Sequence, residues 1–119
     1  MFEIEFYQDE SGVSVIREYI RDLELKAEKS KDSRVKLKNI VRHIELLSKY
    51  GTQIKEPYIK HISNDIWELR PLRDRIFFFL FRKNTFVLLH MFQKKTQKTP
   101  NGEIEQAKRN KESYIRRFK

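Results

Sequence analysis

Residues 75–82 read RIFFFLFR and residues 85–94 read TFVLLHMFQK, with only Lys83-Asn84 between them. Two β-prone runs this close fold back on each other as a hairpin, and an Asn in the connection suits a tight turn. Nearly every position in both runs is apolar, so neither strand can leave a whole face in water. The pair belongs in the middle of a sheet, covered on one face by helices and partly sheltered on the other, with Phe77, Phe78, Phe79 and Phe81 in the core.

The rest of the chain supplies the cover. FEIEFY at residues 2–7 alternates Phe2, Ile4 and Phe6 with two glutamates, the period of a half-buried strand. Val13, Ile16, Ile20, Leu23 and Ala27 recur at spacings of three and four, which predicts an amphipathic helix. After a polar break at residues 29–33, Asp32 or Ser33 is expected to cap a second helix with the stripe Leu37, Ile40, Val41, Ile44 and Leu47, stopped by Gly51. Two short strands are expected at 58–62 and 66–70, joined by a turn at Ser63-Asn64-Asp65. In the loop KKTQKTPNGE, Thr99 is expected as N-cap and Pro100 as first residue of a last helix. The order β-α-α-β-β-β-β-α predicts one α+β domain over residues 1–119: an N-terminal strand and helical hairpin packed on a small antiparallel sheet, with a C-terminal helix.

Several functions are disfavoured. The longest unbroken apolar stretch, Ile76 to Phe81, is far short of the ~20 residues of a membrane span. The acidic start MFEIEFYQDE does not read as a secretory signal, and a cytoplasmic address is expected. There is no cysteine, hence no disulfide, thiolate metal site or Cys nucleophile. His43, His61 and His90 show no ligand spacing, and three glycines make no phosphate-cradling loop, so neither a metal nor a cofactor is expected.

Charge is uneven. Residues 1–69 hold 12 Lys+Arg against 13 Asp+Glu, and residues 70–119 hold 14 against 4. The excess is the footprint of a surface that meets a polyanion. Alternation along the strand Ile66 to Arg70 sends Trp67 and Leu69 to the core and Glu68 and Arg70 to the other, free face. There the start of the next strand, Arg75, and the end of the last, Lys94 and Lys95, would join them, with Arg73 and Lys98 adjacent and Phe92 and Tyr58 offering rings for stacking. Cations plus aromatic rings suit single-stranded RNA. RNA carries its own nucleophile, the 2′-OH. Cleavage without a metal therefore needs a proton acceptor, positive charge for the phosphorane, and an acid for the 5′-oxygen. Crowded cations lower a lysine pKa enough to make it a base, Arg stays charged, and His61 or His90 is the more conventional proton carrier. The expected catalytic set is Arg70, Arg75, Lys94 and Lys95, with Tyr58, His61, Glu68, Arg73, Phe92 and Lys98 holding RNA.

The runs IWELRPLRDRIFFFLF, VLLHMFQKKTQKTP and EIEQAKRN resemble the phage-derived, HigB-like branch of the RelE/ParE toxin superfamily. The resemblance implies a compact α+β fold and the toxin of a type II toxin-antitoxin pair, an endoribonuclease that cuts mRNA on the ribosome without metal. It implies a helix-turn-helix, HigA-like antitoxin as partner in a hetero-oligomer. By position, Arg75 matches the arginine that opens the central strand and stabilises charge, Lys94 and Lys95 match the basic pair closing the last strand, and Arg70 is the W-E-L-R arginine. RelE-type enzymes often carry a tyrosine near the site in the final helix, whereas Tyr114 comes late and reads as core. Two other readings stand beside this one: a ParE-like inhibitor of DNA gyrase without catalysis, and a non-toxic nucleic-acid-binding module.

Overall fold

A computed structural model describes residues 1–118. The elements are β1 (Glu3–Phe6), α1 (Val15–Lys26), α2 (Lys31–Tyr50), a 3₁₀ turn at Gly51–Ile54, β2 (Ile59–Ser63), β3 (Ile66–Leu69), β4 (Asp74–Phe81), β5 (Thr85–Gln93) and α3 (Asn101–Phe118). The five strands line up as β1-β5-β4-β3-β2. Every pairing is antiparallel except β1 with β5, which is parallel. β2 to β5 form the small antiparallel sheet expected, and the N-terminal strand joins it in parallel beside β5, which makes the whole sheet mixed. Alternation in FEIEFY shows that a strand forms but not which neighbour it takes. The α1–α2 hairpin carries the chain across the sheet, so β1 and β2 end on opposite edges.

β4 and β5 lie in the interior of the sheet, and both their faces are covered. Ile76 and Phe78 of β4 and Leu88 and Met91 of β5 pack under α1 and α2, against Ile16, Leu23, Ile40 and Leu47. Phe77, Phe79, Val87 and Leu89 face the other way, against Ala107 and Tyr114 of α3. The second face is more than partly sheltered: α3 closes it. A full burial such as that of Phe78 stabilises by roughly 1.5–3 kcal/mol. The β4–β5 register slips by one residue, with Phe77 opposite His90 and Phe78 opposite Leu88. Leu89 is the extra residue of this bulge, and it lets Leu89 and His90 both face α3.

Local signals differ from the expectation at four ends. Ser14 caps α1, its hydroxyl accepting from the Arg17 N–H at 3.2 Å, and leaves Val13 outside the helix. Ser30, rather than Asp32 or Ser33, caps α2, and Asp32 falls in the first turn, where a carboxylate suits the helix dipole. The β4–β5 turn is three residues, with Arg82 and Lys83 at φ 56° and 72° and Asn84 outside the left-handed region. Thr99 does not cap α3 because its hydroxyl is turned to Glu68, and the Pro100 carbonyl accepts from Glu103 and Ile104 instead.

Gly51 does end α2. It adopts φ 60°, and a Cβ there would lie 2.8 Å from the Phe2 ring. Gly51→Ala is expected to destabilise by about 2 kcal/mol, combining backbone strain with displacement of Phe2. Chemical denaturation with an unchanged m-value would measure it; a loss under about 0.5 kcal/mol would mean that the ring moves away freely. Among the described residues no helix is long and apolar enough to cross a membrane.

Candidate nucleic-acid interface

The site lies where β3 ends, β4 begins and β5 ends. Leu69, Ile76 and Met91 face the helical hairpin. Strand alternation therefore sends Glu68, Arg70, Arg75, Phe92 and Lys94 to the opposite side of the sheet. Arg75 stands opposite Phe92 in the β4–β5 register, and the Lys94 N–H bonds the Arg73 carbonyl at 2.8 Å, which closes this end of the sheet. Three cations from three segments meet on one face, as the alternation predicted.

The face is not free, however. Glu68 is 1% exposed, with Thr99 donating to its Oε2 from the loop just before α3. Its other oxygen lies 3.4 Å from Arg70 Nε and 3.7 Å from Arg75 Nε. None of these three atoms completes a hydrogen bond. Glu68 is consequently a counter-ion beneath the arginines rather than a group presented to RNA. The cover includes Thr99, in the segment leading into α3, whose return over this face the strand pattern did not reveal.

Arg75 is the most constrained cation. Its Nη1 donates to the Leu72 carbonyl at 2.7 Å and to the Asp74 carbonyl at 2.9 Å. These bonds fix the guanidinium plane before any ligand arrives. Burial lowers its pKa and the neighbouring Arg70 lowers it further, against the pull of Glu68. Lys94 is also held below the usual lysine range, by desolvation first and then by Arg75 and Arg70. A cleft of about 460 Å³ opens beside these groups, walled by Leu72, Arg73, Arg75, Lys94, Lys95 and the following Thr96-Gln97. Lys98 is exposed further along the same loop, its carbonyl accepting from the Thr96 hydroxyl.

Two expected RNA contacts lie elsewhere. The Tyr58 ring meets His43 of α2 edge-on, and His61 packs against Trp67 while its Nε2 donates to the Asn64 carbonyl. Trp67 belongs to the hairpin-facing core, so both rings are on the wrong side of the sheet to join the cations. Of the aromatic candidates only Phe92 is on the cationic face, and it is half-buried against Phe77. His90 also faces α3, where its Nε2 donates to Glu103 at 2.6 Å, a tie that fastens β5 to the helix. Tyr114 is core: 4% exposed, donating to Glu5, its pKa pushed up to about 12 by burial and that bond.

The sequence reading missed Lys60, which stands opposite Glu68 in the β2–β3 register and lowers the Lys94 pKa a little further. Only the register could have shown it. Asp74 was missed as well. It is 2% exposed on the hairpin side, both oxygens accepting from the Tyr19 hydroxyl at 3.1 and 3.2 Å, and Gln93 in turn donates to Tyr19.

Burial holds the Asp74 carboxyl above its ordinary 3.8, against the opposing pull of Tyr19 and Lys36. A folded value above the unfolded one gives stability that is complete below 3.8 and lost as pH rises through the folded value. Asp74→Asn removes that loss. Its melting temperature relative to the parent should therefore improve from about pH 3 to about pH 7. A difference that stays flat or worsens over this range would contradict the assignment.

Among the described residues no group of three His, Cys, Asp or Glu side chains is placed to hold a metal ion. The fold and the site define an α+β domain with a mixed five-stranded sheet and a cationic cleft at one end of that sheet. A family model described as Phage derived protein Gp49-like (DUF891) matches residues 18–112, from early α1 to within α3, and the chain belongs to that family. No curated protein matches it.

Proposed function

We propose that this chain is the toxin of a type II toxin-antitoxin pair and that it cuts mRNA on the ribosome without a metal. The Gp49-like family is associated with toxins of the RelE and HigB kind. The observation that carries the nuclease reading is the meeting of Arg70, Arg75 and Lys94 over buried Glu68 beside an open cleft. A binder that only blocks its target has no use for a guanidinium ordered in advance next to an amine whose pKa is depressed.

In this reading a phosphate of the message sits in the cleft. Lys94, its neutral form favoured by desolvation and by Arg75 and Arg70, takes the proton from the 2′-OH. The 2′-oxygen attacks phosphorus, and Arg75, already oriented by two carbonyls, balances the charge that develops on the phosphorane. The bond to the 5′-oxygen breaks as that oxygen takes a proton from Lys95 on the same wall. The products are a 2′,3′-cyclic phosphate and a 5′-hydroxyl. The partner is a small helix-turn-helix antitoxin, and the place of action is the cytoplasm.

The test adds purified protein to translating ribosomes and maps the message ends. Shortened mRNA with cyclic phosphate termini is the expected result. Intact mRNA together with arrested gyrase supercoiling would overturn it in favour of the ParE-like reading.

A further inference from the structure

Around the end of the sheet from the first cleft lies a second, of about 320 Å³, lined by Asp32, Lys36, Asp74 and Gln93. The two clefts share Leu72, Arg73, Lys94 and Lys95 as a common wall. Gln93 and Lys94 are consecutive in an extended segment, so their side chains leave on opposite faces. A strand lying in the first cleft would therefore cross this wall and put its next nucleotide in the second.

Leu72 stands on the wall. It is 51% exposed and holds φ 57°, a left-handed conformation in which a leucine is strained and a glycine is not. An exposed apolar side chain kept in a strained backbone between two clefts is unexplained by packing. It makes sense as a surface on which a ring is laid.

The far side of the second cleft is the start of α2. Asp32 and Lys36 are one turn apart there, with Nζ 3.8 Å from Oδ2. Asp74 forms the floor, only 2% exposed and with its two oxygens turned to the single Tyr19 hydroxyl. Asp32 and Lys36 therefore present two acceptors beside one donor. Guanine offers the complement on its Watson–Crick edge: N2–H and N1–H as adjacent donors, then O6 as acceptor. Adenine, cytosine and uracil have no two adjacent donors there.

We propose that the second cleft seats the nucleobase next to the cleaved phosphate, that Leu72 is the platform on which it packs, and that Asp32 with Lys36 selects guanine. The inference rests on the first cleft holding RNA phosphate.

Translating ribosomes carrying messages with guanine, inosine or adenine beside the cut provide the test. Inosine lacks only the N2 amine, and it should lower cutting by about tenfold relative to guanine, as loss of a paired edge contact does. Asp32→Asn should erase the guanine bias, an effect that a purely structural place in the α2 first turn would not produce. Leu72→Gly should lower cutting without lowering the melting temperature, because glycine accepts this backbone. Cutting with no base bias, or a bias that survives Asp32→Asn, overturns this inference alone. If no message is cut at all, the RNA reading of the first cleft fails and this one fails with it.

Discussion

Arg75→Ala is expected to lower mRNA cleavage at least about a hundredfold, the scale of loss when one ordered donor to a developing anion is removed. The size of the effect follows from how Arg75 is held. Two carbonyls, of Leu72 and Asp74, set its plane, and Glu68 lies 3.7 Å from its Nε, so little reorganisation is left for the reaction itself. Arg75→Lys should recover only part of the rate, because a single ammonium keeps the charge but cannot bond both carbonyls and face a phosphate together. Single-turnover cleavage, with the melting temperature of each variant measured alongside, makes the comparison. Alanine at 75 with near-parental cutting would remove Arg75 from the mechanism. The pH profile separates the roles further. If Lys94 is the base, the rate rises with pH through the Lys94 pKa, and Arg70→Gln should shift that limb to higher pH by removing one of the charges that depress it. A rate that falls as Lys94 deprotonates would instead make it a clamp.

Much of this geometry could be read from the sequence, for identifiable reasons. The apolar runs of β4 and β5 admit only an interior hairpin, and strand alternation is strict enough to put Arg70, Arg75 and Lys94 on one face without coordinates. Register and cover were not legible. Alternation says that Glu68 points away from Leu69, but whether that direction meets water depends on where α3 and the segment leading into it lie, and an 18-residue helix with six acidic or amide-bearing positions can dock on either side. Tyr58 and His61 were misplaced for the same kind of reason. Chain order alone suggests their nearness to the cluster, whereas the turn before β2 sends the Tyr58 ring to α2 and β2 itself sends His61 to Trp67. Lys60 and Asp32 become neighbours of the cations only through contacts between segments far apart in the chain, and Leu72, though local, is singled out by a left-handed backbone that the sequence does not announce. The parallel partner of β1 was equally hidden, since a period of two carries no direction.

The largest effect on stability should come from Glu68 rather than from any apolar residue at the site. Glu68→Gln keeps the shape and an oxygen for Thr99 but deletes the one negative charge buried between Arg70 and Arg75, whose side chains are 20% and 10% exposed. Removing one partner of a buried ion cluster typically destabilises by about 3–5 kcal/mol, because the remaining cations stay desolvated and repel each other. For a chain of this size that corresponds to a melting point lower by roughly 10–20 °C. The same reasoning gives a second signature. With Glu68 neutral, the two guanidinia are left seeking an anion, so sulfate or phosphate should restore the melting temperature of Glu68→Gln more than it raises that of the parent, by binding the native state alone. Chloride at equal ionic strength controls for screening. A variant that melts within about 2 °C of the parent, or that gains nothing from sulfate, would show that Glu68 is not the anion that holds these arginines in place.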